Sequence, residues 1–189
     1  MRKIKGFKLV LRPHEVRRRA RKAGLDLEAA GLTEQVLLKT LERLAKAVVP
    51  GVLFDTFGAP DPDQTALSPM PGLAYSLILA SLGEESFPAA VREKESSLPP
   101  GLWPVLDETA LDECVRFASN ILADEAEKDN CELSPITPLR DAAALEAVVR
   151  KLDGAKLGVA VHGGGALSPS ATAAVSLSWL AKSKAKGRK

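Results

Sequence analysis

From Asp107 to Lys128 the apolar residues Leu111, Cys114, Val115, Ala118, Ile121 and Leu122 recur three and four positions apart, with Glu108, Asp112, Asp124 and Glu127 between them. That spacing lays one apolar stripe along a helix and one charged face opposite it. Acidic residues at the start of such a helix also complement its dipole. An amphipathic helix of this length constrains the fold more than any other segment, because its stripe must be covered by an apolar surface from elsewhere in the chain. The 189 residues are 46% hydrophobic, enough for one domain with a sizeable core and too much for a chain disordered throughout.

The other segments supply the partners. Lys3 to Leu11 predicts a strand, since Phe7, Leu9 and Leu11 alternate with Lys8 and Val10. Pro13 suits a first helical turn, and a short surface helix follows from His14 to Ala23, stopped by Gly24. Thr33 is placed to cap a helix over Glu34–Val48, whose Leu37, Leu41, Leu44 and Val48 share one face. Val52 to Phe57 is extended. Residues 58–72, rich in proline, glycine and aspartate, predict a long ordered loop. Leu73 to Leu82 fits both helical and strand periods, with strand preferred, and a short helix is expected over Glu84–Glu95, then a proline-rich connection over Leu98–Pro104.

Further on, Cys131 to Thr137 is extended, Asp141 caps a helix to Leu152, and Lys156–Val161 is a strand. Gly163-Gly164-Gly165 then turns the chain into a hairpin whose return strand is Ala173–Leu180. Strands and helices interleave irregularly, and no long repeat marks a solenoid. The expected class is α+β: a single domain over residues 1–181, a mixed or antiparallel sheet covered by amphipathic helices, and a disordered basic tail over 182–189.

Charge divides along the chain. Residues 1–24 carry ten Lys or Arg against Glu15, and residues 182–189 carry five against none. Taking those fifteen bases from 26, and the one acid from 24, leaves 11 bases against 23 acids in residues 25–181. The basic ends either lie over the protein's own acidic surface or meet an anionic partner such as nucleic acid, with Arg17, Arg18, Arg21 and Lys22 as the anion-binding candidates. Aromatic residues to stack on bases are scarce, which makes nucleic acid the weaker of the two readings. No apolar run approaches the roughly 18 residues of a membrane span, and Met-Arg-Lys-Ile-Lys lacks the apolar stretch of a secretory signal, so a cytoplasmic location is expected.

Candidate chemistry is sparse. Cys114, Cys131, His14 and His162 are too few and too scattered for a standard zinc site. The acids Asp107, Glu108, Asp112 and Glu113 either hold a cation or form a solvated helix face, and Asp55, Asp61 and Asp63 either line a ligand pocket or serve turn chemistry beside proline. Gly163–Gly165 follows a strand as phosphate loops do, yet no Gly-Lys-Ser/Thr or GxGxxG accompanies it. Cys131 has no basic neighbour in sequence to activate it, and His162 beside the glycines is a lone histidine. The chain reads as a binding or accessory module rather than an enzyme with a self-contained active site.

Several segments carry a family resemblance. Glu15–Gly24, the Glu34 helix and Pro50-Gly51-Val52-Leu53-Phe54 come first, then Gly72–Gly83, Leu106–Lys128, Leu133-Ser134-Pro135, the Asp141 helix, Leu157-Gly158-Val159 and Leu167–Thr172. In this order they resemble the reactivation (activation) domain of cobalamin-dependent methionine synthase and its small stand-alone relatives. The resemblance implies that fold, S-adenosylmethionine as ligand, and a corrinoid protein or methyltransferase as partner. The family's Arg-x-x-x-Gly-Tyr motif falls on Glu132, Ile136 and Thr137. Glu132 reverses the charge that would grip a carboxylate, and Ile136 stands where close backbone approach needs glycine. The resemblance thus places ligand contacts on Asp55, Glu132, Ser134, Thr137 and Arg140, with His162, Gly163 and Gly164 on the neighbouring loop.

Overall fold

The computed structural model describes residues 1–58, 60–68, 70–84 and 86–182. In chain order the elements are β1 (Arg2–Lys5), α1 (Pro13–Lys22), α2 (Glu34–Ala47), β2 (Gly51–Gly58), α3 (Gln64–Leu67), β3 (Ala74–Ser81), α4 (Ala89–Lys94), α5 (Leu102–Lys128), β4 (Cys131–Leu133), β5 (Thr137–Pro138), α6 (Ala142–Lys151), a 3₁₀ turn (Gly154–Leu157), β6 (Ala160–His162), β7 (Ala166–Ser168) and β8 (Thr172–Ala181).

The main sheet has the order β1-β2-β3-β8-β4, with β5 also on β8 beyond β4, and every pairing is antiparallel. Helices cover both of its faces. Val52, Phe54, Ile78, Ala80, Val175 and Leu177 point to the face closed by α1, α2 and α5. Leu53, Tyr75, Leu77, Leu79 and Ala174 point to the other, under α6 and the 3₁₀ turn. A strand buried on both faces has no polar alternation, and for that reason β3 fits two periods when read as sequence. The fold is α+β, with an antiparallel sheet and six helices among the described residues.

Several expectations change. The strand read over Lys3–Leu11 ends at Lys5, because Gly6 takes φ 65° and turns the chain out of the sheet. The long helix begins at Leu102, inside the expected proline-rich connection, with Pro104 in its first turn, where its missing N–H leaves no hydrogen bond unmade. The helix expected over Glu84–Glu95 is only Ala89–Lys94, since Pro88 itself, at ψ 149°, lies outside the helix as its N-cap. The loop over 58–72 contains the helical turn α3. Residues 154–157 form the 3₁₀ turn, and Gly158 at φ 72° delays the strand to Ala160.

The glycine hairpin also has a different return strand. Gly163–Gly165 joins β6 to β7 in a separate two-stranded ribbon, while β8 belongs to the main sheet. Gly165 brings the ribbon against α6: a Cβ on it, at φ 81°, would stand 2.6 Å from Ala142 Cβ. Only glycine permits that approach in that conformation. The tail expected over 182–189 lies outside the described residues except for Lys182, which pairs with Glu127 at 3.6 Å. Among the described residues no helix is long and apolar enough to cross a membrane.

Candidate functional site

The strand β5 and the start of α6 place Arg140. Leu139 N donates to Ala174 O at 2.9 Å, and Asp141 accepts from Ala143 N at 3.0 Å and Ala144 N at 3.3 Å. A carboxylate at this cap satisfies donors that the first helical turn leaves open. Between these anchors Arg140 stands exposed at a cleft of about 580 Å³. The cleft's other wall is α5, where Glu108, Asp112 and Arg116 are four residues apart and so share one face. Val115, Val175 and Leu167 supply its apolar lining.

Charge is shared across this wall. Arg19 of α1 contacts Glu108 at 2.9 Å, Asp112, and Glu15 at 2.8 Å. Hydrogen bonds from Arg18 and Arg19 hold the Glu15 carboxyl down at about 2. Arg116 pairs with Glu113 at 3.1 Å, and Arg140 has no ion pair among the described residues. Glu108 and Asp112 stay 67% and 53% exposed, so both keep oxygens facing solvent beside Arg19. The cleft therefore offers an unpaired cation, among the described residues, on one side and, on the other, two acids shared with Arg19 beside Arg116. Among the described residues no group of three or more His, Cys, Asp or Glu is arranged to hold a metal.

The other residues expected from sequence scatter. Ser134 is buried: its Oγ accepts from Ser178 N at 2.9 Å and donates to Pro135 O at 3.0 Å. It stitches the gap between β4 and β5 on the edge of β8. Thr137 faces Ser176 in the same register, half-buried. Glu132 is exposed on β4, and Asp55 pairs with the N-terminal amine at 2.5 Å, away from the cleft. His162, Gly163 and Gly164 are exposed at the ribbon tip, and the ribbon reaches the cleft only through Leu167. Of the four basic candidates, Arg17 pairs with Glu28 at 3.4 Å and Arg18 with Glu15 at 2.6 Å, while Arg21 and Lys22 are exposed.

A second polar cluster assembles from residues far apart in sequence. Lys151 Nζ donates to Asp61 at 2.7 and 3.0 Å, reaches Asp63 at 3.3 Å, and sits 4.9 Å from the centre of the Phe57 ring. Asp61 and Asp63 carry a turn signal beside their prolines, but nothing near them in sequence announces Lys151 or Tyr75. Burial pushes the fully buried Tyr75 hydroxyl up to about 12, with the charge of Lys151 working against the rise and that of Asp61 adding to it. The hydroxyl accordingly stays protonated at neutral pH. The group clamps the loop over residues 60–68 onto α6.

The thiols are structural. Cys114 is fully buried, and burial pushes it up to about 12, which leaves it without thiolate at neutral pH. Cys131 is buried against Ala126 and Trp179. What fold and site define together is an α+β chain with a half-open, two-signed cleft beside a sheet edge. No protein-family model matches the chain, and no curated protein matches it.

Proposed function

We propose that this chain is a non-catalytic, ligand-binding accessory protein. Its cleft takes a small molecule carrying a carboxylate together with an ammonium or sulfonium, the charge pattern of S-adenosylmethionine. The observation that carries this reading is Arg140, exposed and without an ion pair among the described residues, across the same cleft from Glu108 and Asp112. A guanidinium so placed offers a carboxylate two parallel hydrogen bonds, and the acids of α5 attract the cation. The buried Cys114 with its raised pKa and the protonated Tyr75 support the non-catalytic half of the reading.

On this reading the fold is similar to that of the methionine synthase reactivation domain, and the chain acts beside a corrinoid protein or methyltransferase. Arg140 then replaces the carboxylate-binding arginine whose motif position is occupied by Glu132. The rival reading, an anion- or nucleic-acid-binding protein, draws less support, since Arg17 and Arg18 are engaged with Glu28 and Glu15.

Calorimetric titration with S-adenosylmethionine tests the proposal. Saturable heat is expected from the unmodified protein and from Arg21→Glu, and its loss from Arg140→Glu. Absence of heat at millimolar ligand, or equal heat from Arg140→Glu, removes it.

A further inference from the structure

Residues Phe7–Leu11 have the burial pattern of a strand and no strand beside them. Leu9 and Leu11 are each 5% exposed, Phe7 stacks on Phe117 with ring centres 4.1 Å apart, and Lys8, Val10 and Arg12 face outward, Val10 at 56%. After Gly6 N bonds Pro50 O at 2.8 Å, no backbone group from Phe7 to Leu11 bonds another backbone group among the described residues. An extended segment with its N–H and C=O groups open is a template for strand addition.

Beside it runs a groove of about 720 Å³ against α2, with Leu38, Leu41, Ala45 and Val48 in its lining. Leu38 is 44% exposed there, high for a leucine with apolar neighbours. The groove's charged lining residues are Lys8, Arg12 and Lys46 against the single acid Glu42, with His14 at one end. We propose that this groove binds an extended, acidic peptide segment of a partner protein, which pairs as a β-strand with Phe7–Leu11. Alternate apolar side chains of the peptide would pack on Leu38 and the half-buried Ala45, and its acids would face Lys8 and Lys46, with Arg12, which also reaches Glu113 at 3.7 Å, at the rim.

Charge and hydrogen bonding select this occupant. A second copy pairing through the same segment sets Lys8 and Arg12 against their own like charges, which is unfavourable for facing strands. An anionic bilayer satisfies the basic rim but brings no aligned donors and acceptors for the open backbone groups. An acidic strand satisfies both. The site is separate from the cleft under Arg140, and its test is independent of that reading.

The probe is a fluorescein-labelled peptide of alternating glutamate and valine, about seven residues long to span the segment, followed by fluorescence anisotropy. Saturable binding is expected, with none for the matching lysine–valine peptide. Of two versions N-methylated on alternate amides, one is expected to bind and the other to fail, because a strand presents successive N–H groups to opposite sides. Leu38→Asp, at an exposed position, should weaken binding about tenfold or more, with an unchanged circular dichroism spectrum, and Arg140→Glu should leave binding unaltered. Failure of the glutamate–valine peptide to bind, equal affinity of the two methylated forms, or binding to phosphatidylserine vesicles in place of the peptide overturns the proposal.

Discussion

Lys151→Met removes the charge that clamps residues 60–68 to α6 while keeping an unbranched apolar stem of similar reach. In the native protein Lys151 and Asp61 are 16% and 13% exposed, and their two contacts at 2.7 and 3.0 Å are charge-assisted. Such a bond contributes about 1.5–3 kcal/mol net, and the ammonium against the Phe57 ring about 0.5–1 kcal/mol. Relief of the lysine's own desolvation offsets part of this, so a loss of about 2 kcal/mol is expected. For a domain of this size that lowers Tm by about 4–8 °C, read by circular dichroism at pH 7.

The pH dependence carries the sign. The hydrogen bond from Lys151 holds the Asp61 carboxyl below its ordinary value against the opposing effect of burial. A depressed carboxylate stabilises fully above its unfolded pKa, near 4, and that contribution is lost as pH falls through the folded value. The difference between Lys151→Met and the unmodified protein should therefore shrink in acid. A double-mutant cycle with Asp61→Asn should return a coupling of about 1–2 kcal/mol. An unchanged Tm at pH 7, or additive single mutants, would refute the clamp.

Gly165→Ala should destabilise by about 2 kcal/mol, since φ 81° disfavours any Cβ and Ala142 blocks it; Gly163→Ala, with nothing within 4 Å, should fall within about 0.5 kcal/mol in urea unfolding. Glu15→Gln should flatten the acid limb of the stability curve: the Arg18 and Arg19 hydrogen bonds hold Glu15 at about 2, so its contribution is present above about 4.5 and lost as pH falls towards 2. Solvent screening of this partly exposed triad limits the effect to about 1 kcal/mol. Cys114 should resist iodoacetamide in the native protein at neutral pH and react once urea exposes it; rapid native labelling would contradict its burial.

Within the site, legibility followed the range of the interaction. The Asp141 cap was readable because a cap and its turn span adjacent residues, whereas Arg140 entered only through the family resemblance. The facing acids Glu108 and Asp112 were visible as a charged helix face, but not as a wall for Arg140. Ser134 sits in the expected turn, yet its hydroxyl completes the edge of the sheet rather than a ligand site. Lys151 and Tyr75 had no local signal at all, because each side chain has its charged partner on another element.

By itself the sequence determined the local, periodic and punctuated parts of this protein. The stripes of α2, α5 and α6 repeat within a few residues, and Asp141 marks its own helix start, so neighbours along the chain suffice to specify them. Tertiary structure alone decided what covers what. It assigned β8 to the main sheet and β7 to the glycine hairpin, buried β3 on both faces, and turned Phe7–Leu11 away from the sheet at Gly6. The physical reason is that strand partners and two-sided burial are set by contacts between distant residues, which leave no period in the sequence to read.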